Sequence, residues 1–258
     1  ANYYNDAFTN IRDSSRMLTS RLLLRPFEKG DQSMISNLCN EFEVASMCSL
    51  VPYPYSDDHA QYFLSKICTA ADKMTFAITQ RENNELVGCI SLDDIKKLEK
   101  EKTAIIGYWL GKNYWGRGFM TEAATAIISY GFDKLELDAV HGYCWVENEK
   151  SANVMKKVGF EQSTIFPPGM DVCAPCLARG MKTFSRNYYQ LSRDNYVSRL
   201  KSKHKTKTGS NNNYILCPFR SIGCKMPKAF CLHSNRCFSC DHWSCPKCNL
   251  IRGDGMTV

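Results

Sequence analysis

The chain has 258 residues, enough for one well-buried domain and a smaller appendage, and its 33 basic and 26 acidic residues give a net charge of +7. No apolar run approaches the roughly 18 residues that a membrane-spanning helix requires. The opening ANYYNDAFTNIRDSSRM is polar and lacks the apolar segment of a secretory signal, so an intracellular, cytoplasmic protein is expected, with the mitochondrial matrix as the alternative and no membrane partner.

After an arm over residues 1–16, RLLLRPFEKGD (Arg21 to Asp31) reads as a strand and a turn into a helix. Asp31 can cap that helix, whose apolar stripe is Met34, Ile35, Leu38, Cys39 and Phe42. Ser56-Asp57-Asp58 opens a second helix with Tyr62, Phe63 and Ile67 on one side. Met74 to Thr79 alternates as a half-buried strand, with a turn at Asn83-Asn84. Ala104 to Leu110 is a near-continuous apolar strand, as in the middle of a sheet covered on both faces. Beyond it, Trp115-Gly116-Arg117-Gly118 runs into a helix that starts near Met120. Two glycines before a helix N-terminus let backbone N–H groups approach a phosphate. Taken alone, a G-x-G is more often a turn. The order of elements makes a mixed α/β sandwich.

The pairing of GYWLGKNYWGRGFMTEAA with NEKSANVMKKVGF resembles the GCN5-related N-acetyltransferase (GNAT) superfamily, in its RimJ/RimL-like branch. Further matching blocks are ELVGCISLDDI (Glu85 to Ile95), Trp145 to Asn148 at a strand end, and NYYQLSRDNY (Asn187 to Tyr196) as the closing strand. The resemblance implies an α/β (α+β) acetyltransferase fold over residues 17–199, a mixed central sheet flanked by helices. It also implies acetyl-CoA as donor and an amine as acceptor. Backbone amides near Leu110 would polarise the thioester carbonyl, and Asn113, Trp115, Gly116, Arg117, Gly118, Phe119 and Met120 would hold the pyrophosphate. Asn148 would anchor the pantetheine or acetyl region, and Ser151 would act as general acid on the leaving thiolate. Three positions depart from the family: Met155 stands where many members carry a tyrosine acid, Ile105 where the branch carries a strand glutamate, and Asn113 where Gln or Arg opens the loop. Asp93, Asp94, Glu147 and His141 are the remaining candidate bases, none with motif support.

Charge and cysteine set the C-terminal third apart. From Thr183 onward thirteen basic residues face three acidic ones, so +10 falls here and −3 on the rest. Arg199, Lys201, Lys203, Lys205 and Lys207 run into a Gly-Ser-Asn stretch, a basic linker over 200–213 by composition. It reads either as a solvated tether or as a contact with RNA or another polyanion. Residues 214–250 then carry nine metal-type ligands: Cys217, Cys224, Cys231, His233, Cys237, Cys240, His242, Cys245 and Cys248, before a tail over 251–258. Such crowding favours metal over disulfides, and two tetrahedral zinc ions would use eight of the nine. One partition resembles a TRAF-type finger, the other a RING from Cys231 onward whose opening Cys-x2-Cys is missing. Cys173 and Cys176 add a Cys-x2-Cys that reads as a knuckle, a redox pair or two incidental thiols. The favoured expectation is an N-acetyltransferase acting on a protein amine, N-terminal or lysine, and directed by a small C-terminal zinc-binding domain. The alternative is an acetyltransferase-like structural subunit of a ribonucleoprotein or other large assembly.

Overall fold

The computed structural model describes residues 16–98, 101–164, 186–207, 214–215 and 226–227. Tertiary contacts divide the chain into two units, Ala1–Tyr196 and Val197–Val258.

The first unit is built on a sheet of eight described strands: β1 (Met17–Leu18), β2 (Leu22–Arg25), β3 (Met74–Gln80), β4 (Leu86–Leu98), β5 (Glu101–Leu110), β6 (Ala139–Trp145), β7 (Glu161–Ser163) and β8 (Arg186–Ser192), in spatial order β1-β2-β3-β4-β5-β6-β8-β7. Every pair is antiparallel except β5 with β6, and that parallel pair needs a crossover. Helix α4 (Phe119–Asp133) supplies it, after the shorter helices α1 (Gln32–Cys39), α2 (Phe42–Ala45) and α3 (Asp57–Tyr62). Helix α5 (Glu149–Val158) follows β6, and α6 (Arg193–Lys207) follows β8.

Layering follows from the apolar pattern. Ala123, Ala124, Ile127 and Ile128 of α4 are buried against Phe76, Ile78, Ile90 and Leu92 on one sheet face. Ile35 and Cys39 of α1 and Ala60 of α3 pack with Ala77 and Leu86 on the other. Each fully buried large side chain contributes about 1.5–3 kcal/mol, so both layers are needed to hold the sheet. With helices on both faces, β3 is buried at six successive positions from Met74 to Thr79 instead of alternating. Its Thr75 and Thr79 imitate a polar face that the fold does not expose.

Four further expectations are corrected. Asp31 does not cap α1 through its side chain; its carboxylate takes two 2.8 Å hydrogen bonds from the buried Arg25 guanidinium and one from the Glu28 N–H. Phe42 leaves the α1 stripe because that helix stops at Cys39, and the ring is exposed in α2. The closing strand ends at Ser192, not Tyr196, because the Ser192 hydroxyl accepts from the Asn195 N–H and starts α6 there. Helix α6 also takes in the basic stretch as far as Lys207, where composition suggested a linker; the segment holds no Gly or Pro, and its Arg, Lys and Leu are strong helix formers. In the second unit, Tyr214–Ile215 (β9) pairs antiparallel with Met226–Pro227 (β10). The nine predicted zinc ligands, Cys173 and Cys176 lie outside the described residues.

Candidate active site

The site begins where two parallel strands part. The β5–β6 ladder consists of Thr103↔Ala139, Ala104↔Val140 and Ile105↔His141 and ends there, although β5 continues to Leu110 and β6 to Trp145. Each strand stays with its other neighbour: Leu110 opposite Gly88 on β4, Trp145 opposite Arg186 on β8. A V therefore opens in the middle of the sheet, and a cleft of about 1470 Å³ passes through it. Tyr108, Leu110, Cys144, Trp145, Asn148 and Ser151 line it toward α5, and Thr75, Cys89, Ser91, Asp93, Ile105 and Gly107 line it on the β3–β5 face.

At the end of β5 a 3-10 turn, Lys112–Tyr114, leads into the glycine loop. Gly116 has φ +76° and Gly118 φ +78°, in the left-handed region, and a Cβ on Gly116 would meet nothing within 4 Å. Backbone conformation, not crowding, is what calls for glycine there. Gly118 is the N-cap of α4 and offers no side-chain cap, which leaves the first-turn N–H groups for a ligand. Trp115, Gly116, Gly118, Phe119 and Met120 all line the cleft. The Trp115 indole donates to the Leu110 carbonyl at 2.6 Å, and the Tyr114 hydroxyl donates to Glu85 at 2.8 Å, so the turn is pinned from both sides. Arg117 instead places its guanidinium over the Tyr114 ring, 5.6 Å from the centroid.

A clamp that sequence reading missed fixes the loop from the far edge. Arg21 donates from Nη1 to the Arg117 carbonyl at 2.9 Å and from Nε to Glu122 at 2.8 Å, with its guanidinium 4.7 Å from the Phe119 ring centroid. The second Glu122 oxygen accepts from the Thr19 and Ser20 hydroxyls and the Arg21 N–H. Burial pushes the Glu122 carboxyl upward, but these hydrogen bonds outweigh it and hold the pKa at about 2. The one sequence signal was an acidic residue in the first turn of a helix, which the dipole alone accounts for.

On the other arm of the V, Asn148 caps α5: its side-chain oxygen accepts from the Ser151 N–H at 3.1 Å. That bond fixes Ser151 in the cleft. The Ser151 hydroxyl lies 2.8 Å from the Tyr108 hydroxyl, which also donates to the Ser151 carbonyl at 3.2 Å. Burial pushes the Tyr108 phenol far up, so it stays protonated and can only orient or relay, not serve as a base. Met155 is buried in the core below. Of the candidate bases, Asp94 pairs with Lys96 at the surface at 2.6 Å, and His141 hydrogen-bonds the Tyr188 hydroxyl outside the cleft lining. Asp93 and Glu147 line the cleft. Among the described residues no group of three or more His, Cys, Asp or Glu side chains is placed to hold a metal.

The geometry suits a pantetheine thioester: a left-handed glycine cradle at one end, parted strands in the middle and a hydroxyl pair at the reacting end. Comparison with known proteins agrees. The family profile "Acetyltransferase (GNAT) domain" matches residues 21–161. The spermidine N(1)-acetyltransferase of Vibrio cholerae is 26% identical over 143 residues, 55% of this chain and 80% of the relative. The ribosomal-protein-serine acetyltransferase of Escherichia coli is 37% identical over 79 residues, 31% of this chain and 43% of the relative. The crystal structure of a GNAT-family acetyltransferase from Bacillus anthracis superposes with a TM-score of 0.58 at 25% identity, covering 70% of this chain and 99% of that one.

Proposed function

This chain belongs to the GNAT acetyltransferase family, acetyl-CoA-dependent acyltransferases, and from that premise we propose that it acetylates one amine of a protein, N-terminal or lysine. The observation that carries this reading is the wall of the cleft on its acceptor side. Five of the large exposed apolar side chains, Phe42, Met47, Leu50, Tyr53 and Tyr62, come from one stretch, and four of them line the cleft itself. Scattered apolar residues need no explanation, but a cluster around a cleft mouth marks a surface that meets another molecule. Four carboxylates line the cleft: Glu43 pairs with Lys112 at 2.6 Å and Asp93 has Lys73 at 3.5 Å, both on the side of the apolar cluster, while Glu147 and Glu149 flank the start of α5. A polyamine with three or more charges would ask for several uncompensated carboxylates, whereas a peptide offers a single ammonium beside apolar side chains.

The nine-ligand segment and the +10 charge of the last third are the proposed means of targeting, a zinc module that brings the catalytic unit to one macromolecule, RNA-containing or acidic. The test is direct. The full chain with acetyl-CoA is offered a short peptide with a free, apolar N-terminus, the same peptide blocked at its N-terminus but carrying lysine, and spermidine, and acetylated products are measured by mass. Either peptide should be acetylated at least about ten times faster than spermidine; a preference for spermidine would contradict the protein assignment.

A further inference from the structure

Ile105 of β5 occupies the position where a glutamate was expected, and its directly opposed partner on β4 is Asp93. Side chains paired in this way stand on the same face with Cβ atoms about 4.5–5.5 Å apart, so a carboxylate is available beside the same spot from the neighbouring strand. Resting on the reading that an amine is the acceptor, we propose that Asp93 is the general base that takes the proton of the acceptor ammonium.

Three observations aim Asp93 at the reacting centre. Its Oδ2 lies 3.2 Å from where a Cβ on Gly107 would stand, so it reaches across β5 over a residue that has no side chain. Gly107 is two residues beyond Ile105, where the ladder to β6 ends and the V opens. Beside Asp93 runs a polar row, Thr75 opposite Ser91 and Ser91 opposite Gly107, on a face otherwise lined by apolar groups. Thr75 Oγ1 in that row is buried and has no hydrogen-bond partner, which is costly unless a ligand supplies one. Burial raises the Asp93 pKa while Lys73 at 3.5 Å opposes the rise. Asp72 next to Lys73 and the Cys89 thiol on β4 are the other titratable neighbours, and β5 presents only Ile105 and Gly107 there. The result is a carboxylate more basic than one in water.

One N–H proton of the ammonium passes to Asp93, and the freed lone pair attacks the thioester carbonyl carbon, forming the C–N bond. The C–S bond then breaks, the sulfur leaves with its electron pair and takes the Ser151 hydroxyl proton, and a second nitrogen proton restores Ser151. The products are an amide and a free thiol, and Asp93 returns its proton to solvent.

The test uses the full chain, acetyl-CoA and whichever of the three amines above the wild type acetylates. Asp93→Asn should lower kcat by about a hundredfold or more while the Kd for acetyl-CoA stays within about twofold. Ile105→Glu added to Asp93→Asn should recover at least about tenfold by returning a carboxylate from the facing strand. An Asp93→Asn chain that transfers at the wild-type rate, or that loses acetyl-CoA binding in step with kcat, overturns the proposal. So does a loss of kcat that neither Ile105→Glu nor raised pH relieves, since that marks a structural carboxylate. Wild-type protein that binds acetyl-CoA but acetylates none of the three amines instead overturns the functional reading beneath it, and the base assignment falls with it.

Discussion

Ser151, whose backbone N–H is held by the Asn148 side chain and whose hydroxyl lies 2.8 Å from that of Tyr108, is the group proposed to protonate a departing thiolate. Ser151→Ala should lower kcat by about a hundredfold and leave acetyl-CoA affinity within about twofold, read by transfer assay and calorimetry. An unchanged kcat would remove Ser151 from the chemistry. Ser151 could be singled out in the sequence because the block that holds it, NEKSANVMKKVGF, resembles a family pattern. Tyr108 could not: the sequence shows it only as one more aromatic in an apolar strand, and its contact with Ser151 spans 43 residues across the splay. Asp93 was one of four candidates that sequence could not rank, because its cross-strand register and the gap left by Gly107 decide between them. Its raised pKa has a kinetic consequence. A base must be ionised, so the transfer rate should fall as pH drops, beginning above the ordinary aspartate range of about 4. A rate that stays flat down to pH 4 would contradict this.

At the scale of elements, the glycine loop and α4 act as one piece because Arg21 and Glu122 tie them to the start of β2. Gly118→Ala would place a side chain at φ +78°, costing about 1–2 kcal/mol, and should weaken acetyl-CoA binding more than it lowers the melting temperature. Glu122→Gln should destabilise the fold by about 1–3 kcal/mol at neutral pH. The sign of its pH dependence follows from a folded pKa of about 2 against a reference value of 4.5. The stabilisation is fully present above about pH 4.5 and is lost as pH falls toward 2, so wild-type and variant melting temperatures should converge there. Parallel melting curves from pH 7 down to 2 would show that the clamp carries no net charge stabilisation. Strand and helix positions were readable wherever one face met water or a cap sat at a boundary, as at Ser56, whose hydroxyl accepts from the His59 N–H. They were misread where tertiary packing overrode the local pattern. The second helical layer buried the polar positions of β3, and the cap at Ser192 converted the end of an apparent strand, and the basic stretch after it, into helix.

The whole molecule joins an acetyltransferase unit to a basic, cysteine-rich end, and the two should respond to different perturbations. Metal analysis should find two zinc ions per chain, and a chelator should remove them and unfold the segment that holds them. Acetyl-CoA binding by the unit containing residues 21–161 should survive that treatment. Fewer than one zinc per carefully prepared chain would defeat the zinc assignment without touching the catalytic one. The glycine loop and the two helix starts that follow β5 and β6 were legible because their motifs are local. The ligand pairing in the last third was not, because nine donors for eight places leave several partitions with equal claim. The most direct test of the whole account is calorimetric titration of the purified full chain with acetyl-CoA. One site of micromolar affinity, weakened at least about tenfold by Gly118→Ala, is the result predicted. A folded chain that takes up no acetyl-CoA would contradict the assignment of the parted strands and the glycine cradle as its binding site.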